Sequence, residues 1–146
     1  PDPIYNSPMF NFEGFYAGVT GGGATLPGPG IVGTVGVAAG ANFSLSEAIL
    51  AGLEFQGEGM FNGAGWVGWN GLLLAHVGGF LTQDLMIYGA AGGGLIDSVG
   101  SYAFGAGIEA PLMNQISVRG EVLGTGAWGA GPSGAKATVG LLFHVN

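Results

Sequence analysis

The stretch "AGLEFQGEG" (residues 51–59) sets Ala51, Leu53 and Phe55 against Glu54, Gln56 and Glu58 at alternating positions. Successive side chains of a β-strand point to opposite faces, so this segment presents one apolar face and one face of carboxylates and amide. Which face meets water decides the fold. A soluble domain wraps an apolar core in a charged skin, and roughly a quarter of its residues are charged. Only 8% of this 146-residue chain is charged, whereas 48% is hydrophobic and 33 residues are glycine. That is too little charge for a soluble skin, and the apolar face is expected to look outward.

A chain that faces lipid must pair every backbone polar group internally, which leaves α-helices or a closed β-barrel. A spanning helix needs about 20 consecutive, mostly apolar residues. The best window, "GLLLAHVGGFL" (residues 71–81), has 11 residues and contains His76, and glycine recurs throughout the rest. Eight segments instead show period-two alternation, at roughly 13–22, 31–42, 48–59, 65–80, 85–94, 101–111, 116–125 and 135–145. The connections "FSLSEA", "LTQD" and "PLMNQ" are short and turn-like, while "GGGATLPGPG", "GEGMFNGAGW", "GGLIDSVG" and "GTGAWGAGPSG" are longer and rich in Gly and Pro. Up-and-down membrane barrels have this asymmetry. The predicted fold is therefore all-β: an eight-stranded antiparallel up-and-down transmembrane β-barrel with short periplasmic turns and short Gly/Pro-rich outer loops. Residues 12–146 form its single domain, and residues 1–11 form a periplasmic N-terminal arm.

The parity of the other strands agrees. Val118, Gly120 and Val122 alternate with Arg119 and Glu121; Ala137, Val139, Leu141 and Phe143 alternate with Lys136, Thr138, Leu142 and His144. Phe104, Ala106 and Ile108 oppose Glu109, and His76 opposes Ala75 and Val77. Glu54, Glu58, Glu109, Arg119, Glu121, Lys136, His76 and His144 thus share the inner face, in a lumen just wide enough for its side chains to fill. Two roles are open to them: an ion-pair network that satisfies buried charge, or a path for protons or cations. Small residues elsewhere on this face (Gly18, Gly36, Ala38, Gly40, Ala103, Gly105, Gly107, Gly140) leave room for water but not for a wide pore. Phe12, Phe15, Phe43, Phe80 and Phe143 fall near the turn-side strand ends, and Trp66, Trp69, Tyr102 and Trp128 near the loop side. Aromatics so placed are expected to form an interfacial girdle.

Five stretches carry a resemblance. "FEGFYAGVTGGG" resembles the Trp-x-Gly-Phe-Tyr-x-Gly opening of the small porin-like outer-membrane β-barrel proteins common in alphaproteobacteria. "VGVAAGANFSLSEAILAGLEFQGEG" is similar to their second hairpin. "HVGGFLTQDLMIYGAAGGGL" resembles their Arg-x-Gly…Leu-x-Tyr-x-x-x-Gly-Gly hairpin, with His76 at the arginine position. "FGAGIEAPLMNQISVRGEVLG" is similar to Gly-x-Gly-x-Glu, a turn, then Arg-x-Glu-Tyr, and "TVGLLFHV" resembles the closing strand. Here the opening aromatic is Phe12 in place of tryptophan, and the chain ends in "FHVN" instead of phenylalanine. The resemblance implies an eight-stranded barrel of the OmpA transmembrane or opacity-protein type in the outer membrane of a Gram-negative cell. Its surroundings would be outer-membrane lipid and lipopolysaccharide. The opening "PDPIYNSPMF" lacks a basic and then apolar leader, so an exported chain would be in mature form, its signal peptide already removed.

Other chemistries find little support. Two cationic side chains against nine carboxylates, for a net charge of −7, argue against a nucleic-acid partner. With no cysteine there is neither disulfide nor thiolate chemistry. "GAGPSGAK" (residues 129–136) has an extra alanine before Lys136 and no following helix, so it is an outer loop and not a phosphate loop. No paired-ligand spacing suggests a metal, no cofactor motif is present, and nothing in the sequence orients Ser101 or Ser117 toward His76 or His144 as a hydrolase would need. The expected protein is a non-enzymatic, structural component of the envelope, its lumen filled by the ion-pair network. A homo-oligomer or lattice through the barrel walls and N-terminal arm would suit an exterior with so few charges outside the lumen. The alternative is a narrow porin or channel for small ions or solutes.

Overall fold

The structure, a computed structural model, describes residues 12–26, 30–82, 84–96 and 99–145; the arm expected at 1–11 lies outside them. The described residues form eight strands: β1 (Gly14–Leu26), β2 (Gly30–Ser44), β3 (Ile49–Asn62), β4 (Gly65–Thr82), β5 (Leu85–Ile96), β6 (Val99–Met113), β7 (Ile116–Ala127) and β8 (Gly134–Val145). Each pairs antiparallel with its neighbours in sequence, and β1 also pairs with β8, from Phe15 opposite Val145 to Thr25 opposite Ala135. The barrel is closed and has no free edge.

The stagger of the strands fixes the shape. From Asn70, directly paired residues lead through Glu58, Gly36, Thr20, Gly140, Arg119, Glu109 and Met86 back to β4 at Phe80. One circuit therefore advances ten residues along β4. For eight strands this shear corresponds to a tilt of about 40°, so a 12-residue strand such as β7 climbs about 30 Å along the barrel axis. That covers the ~25 Å apolar band of a membrane barrel.

The strands run further than the sequence suggests. β1 extends through "GGGATL" to Leu26, and β3 and β4 leave only Gly63 and Ala64 between them. The expected contrast between short turns and longer loops is correspondingly small; only the 128–133 link between β7 and β8 is longer than the 45–48 turn between β2 and β3. Glycine, which marks turns elsewhere, here serves the wall. At inward-facing Gly105 a Cβ would lie 2.0 Å from the Val122 carbonyl oxygen, so the close approach of the paired β7 backbone leaves no space for a side chain.

Leu53, Phe55, Leu73, Val77, Ile108, Val122, Val139 and Leu141 are exposed on the outer wall, while Glu54, Glu58, Glu109, Arg119, Glu121 and Lys136 are buried. A bulge opposite Met60 and Phe61 shifts the register of β4. It allows Trp66 and Trp69, three positions apart, both to be exposed, with Trp66 edge-on to Phe61 at 5.7 Å. Apolar side chains stopper the lumen: Ala24, Val32 and Met60 at the loop end, and Phe12, Leu50 and Met86 at the turn end, all buried.

Two glycines on paired strands separate wall geometry from general glycine effects. Gly105→Ala should destabilise the barrel by about 1–3 kcal/mol through overpacking. Gly120→Ala, whose Cβ meets nothing within 4 Å on the outer wall, should stay within about 0.5 kcal/mol of wild type. Urea unfolding of both variants in detergent micelles makes the comparison.

Candidate functional site: the filled lumen

Arg119 on β7 faces inward and is 5% exposed. Its Nη1 lies 2.6 Å from Glu54 Oε1 on β3, and its Nη2 lies 3.3 Å from Glu109 Oε1 on β6. The guanidinium sits between two aromatic rings, 5.6 Å from the Tyr16 centroid and 5.2 Å from that of Tyr88. Both distances are within cation–π range. The hydroxyl of Tyr16 donates to Glu54 Oε1, and that of Tyr88 donates to Glu121 Oε2 at 2.8 Å. Each tyrosine reaches inward across a glycine of the adjacent strand: a side chain at Gly40 would collide with Tyr16, and one at Gly107 with Tyr88.

From this hub the polar contacts continue toward the loop end. Gln56 Nε2 donates to Glu54 Oε2 at 2.6 Å and to Glu121 Oε1 at 2.8 Å, tying two carboxylates through a neutral amide. Its Oε1 accepts from Lys136 Nζ at 2.8 Å, and Lys136 pairs with Glu58 Oε1 at 2.8 Å. Asn70 Nδ2 donates to Glu58 Oε1 at 3.3 Å. Toward the turn end, His144 Nε2 and Ser117 Oγ both contact Glu109 Oε2, at 2.9 and 2.6 Å. His76 contacts no carboxylate there: its Nε2 lies 2.7 Å from Asn42 Oδ1, and Asn42 Nδ2 donates to the Phe12 carbonyl at 2.9 Å.

The residues anticipated on the inner face are thus all buried in the lumen, seven of them in three groupings and His76 apart. Arg119, Glu54, Glu109 and His144 meet directly, Lys136 pairs with Glu58 and not with the central group, and Glu121 is held by Gln56 and Tyr88. His76 stands apart beside Tyr88, ring centroids 5.5 Å apart. The partners that complete the arrangement are Tyr16, Tyr88, Gln56, Asn42, Asn70 and Ser117. Inward parity was the available signal for each, but parity does not say which opposite strand a long side chain reaches.

Ser117 requires a correction. It is oriented toward a histidine after all, with Oγ 2.9 Å from His144 Nε2. The stagger of β7 against β8 produces this contact, since it pairs Ser117 with Leu142 and puts it beside His144. A hydrolytic relay places serine and acid on opposite nitrogens of the histidine. Here Ser117 and Glu109 share Nε2, and all three residues are at most 1% exposed. The trio thus lacks the arrangement of that relay. Among the described residues no group of three or more His, Cys, Asp or Glu is placed to hold a metal ion.

The anticipated girdle divides. Phe15, Phe43, Trp66, Trp69, Trp128 and Phe143 are exposed on the outside, and Tyr102 stacks on Phe104 at 6.2 Å with Trp128 at 5.5 Å. Phe80 is a correction: it shares inward parity with Leu74 and His76 and packs on buried Phe12, ring centroids 5.5 Å apart. Phe12 likewise turns inward, edge-on to His144 at 5.7 Å.

No protein-family model matches the chain, and no curated protein does. Among solved structures, one described as "De novo design of transmembrane beta-barrels" matches with a TM-score of 0.58 at 19% identity, covering 94% of this chain and 100% of that one. The fold is therefore that of an eight-stranded antiparallel barrel resembling a transmembrane β-barrel.

Replacing the hub exposes its weight. Arg119→Leu strands Glu54 and Glu109 in a water-poor interior and should cost roughly 3–5 kcal/mol. Tyr88→Phe, which removes one hydroxyl from Glu121, should cost about 1–3 kcal/mol. Urea unfolding followed by circular dichroism tests the ranking; an Arg119→Leu barrel as stable as wild type would contradict the hub.

Proposed function

We propose that the chain is a non-enzymatic structural barrel of the bacterial outer membrane, a wall element whose lumen is a packed polar core and not a passage. The observation that carries this reading is the inversion of polarity. The apolar set faces outward, and the charged strand residues pair with one another or with amides and hydroxyls inside. Such an exterior suits hydrocarbon, and closed barrels of this kind span outer membranes. Arg119, Glu54, Glu109, Tyr16 and Tyr88 are each at most 5% exposed, which supports a lumen blocked at mid-height.

The exterior also suits close packing of like barrels in the membrane plane. Between β6, β7, β8 and β1 the outer wall dips where Ala106, Gly120, Ala137 and Gly21 stand among Ile108, Val122 and Val139. Neither charge nor bulk opposes a neighbouring wall at this place.

Planar-bilayer recording tests the proposal. The purified barrel, shown to be inserted, should give no reproducible single-channel steps; steady unitary currents would favour the narrow-porin reading. Crosslinking in intact membranes should trap dimers and higher species, and a purely monomeric pattern would remove the self-association part.

A further inference from the structure

The 146-residue sequence contains only two lysine or arginine side chains, and both are inside the barrel. Arg119 is 5% and Lys136 3% exposed, and each is engaged with glutamates. The outer wall and both rims therefore carry no cationic side chain. Among the described residues, the acidic groups outside the lumen are unevenly placed. Glu13, Glu47 and Asp84 are exposed at the turn end: Glu13 immediately before β1, Glu47 in the 45–48 turn and Asp84 between β4 and β5. Backbone contacts hold two of the three corners. Ser44 N donates to Glu13 Oε2 at 3.1 Å, and Asp84 N donates to Thr82 Oγ1 at 3.1 Å. At the loop end the described connections 63–64 and 128–133 contain no charged residue, and Trp66, Trp69 and Trp128 stand exposed nearby.

Membrane proteins commonly set lysine and arginine at the interface, where each contributes about 1 kcal/mol toward an anionic lipid surface. Among its described residues this barrel has exchanged that contact for carboxylates at the turn-end rim and uncharged aromatics at the loop end; Asp97, between β5 and β6, lies outside the described residues. We propose that its headgroup partner is a net-neutral, zwitterionic lipid surface, and that an anionic surface accepts the barrel only after divalent cations have neutralised it. The proposal rests on the membrane-spanning reading above. Its physical cause is the local potential: an anionic leaflet, at about −30 mV, repels the carboxylates of the turn-end rim and meets no lysine or arginine elsewhere on the exterior to offset that repulsion.

The test is folding from urea into vesicles of phosphatidylcholine alone, or of phosphatidylcholine mixed with phosphatidylglycerol, at low ionic strength with and without magnesium. All three tryptophans of the chain belong to the loop end, so intrinsic fluorescence reports its arrival in the bilayer, with heat-modifiable gel mobility as a second readout. Folding should be roughly tenfold slower into the mixed vesicles, and magnesium should restore the rate. In Glu13→Gln/Glu47→Gln/Asp84→Asn, which leaves the lumen untouched, most of the difference should disappear. Equal or faster folding into the mixed vesicles without magnesium overturns the proposal, as does a slowdown that survives in the neutralised variant. Failure to fold into phosphatidylcholine as well would bring down the membrane-spanning reading and this proposal together; equal rates bring down this one alone.

Discussion

A guanidinium without water must find its counter-charges in the protein, and the lumen is arranged around that demand. Arg119 is always protonated, carries five N–H donors and is almost wholly buried. Glu54 and Glu109 supply negative charge, and Tyr16 and Tyr88 supply the faces of their rings. These partners come from β3, β6, β1 and β5, on different sides of the barrel. A wider cylinder would leave the arginine too far from most of them, so the narrow eight-stranded circumference and the central ion pair depend on one another.

The glycines belong to the same economy of space. Two tyrosines, an arginine, four glutamates and two histidines cannot share so slender a lumen unless other inward positions are empty. Gly40 and Gly107 are vacant beneath the two tyrosine rings, and Gly105 is vacant where the neighbouring β7 backbone approaches closely. On the outer face glycine has a different effect, producing the dip at Gly120 and Gly21 between branched side chains. One residue type thus makes room inside for polar side chains and hollows the wall outside. Because Arg119 and Lys136 are both paired with glutamates inside, the exterior holds no cationic side chain with which to greet a lipid phosphate.

Much of this was legible from alternation alone. "AGLEFQGEG" assigns Glu54, Gln56 and Glu58 to one face, and the structure buries all three while exposing Leu53 and Phe55. The eight strands were legible too, although their ends were not: glycine-rich "GGGATL" resembles a loop but continues β1, because a tilted wall favours residues that allow close backbone approach. Phe80 shows the limit of reading aromatics by position. It lies near a strand end, as a girdle residue should, yet its parity turns it inward onto Phe12. Trp66 shows the opposite limit, since a bulge overrides the parity that would separate it from Trp69.

By itself, the sequence determined the inside and the outside of this protein. A period of two is a local property of an extended chain, and it needs no knowledge of the neighbouring strands. Only the tertiary structure decided who meets whom inside. That Arg119 reaches Glu54 across the lumen, that Lys136 turns to Glu58, and that Ser117 lies against His144 all follow from a stagger of ten residues per circuit. The stagger is a property of the closed ring: each strand pair contributes a small offset, and its sum acquires meaning only when β8 closes on β1.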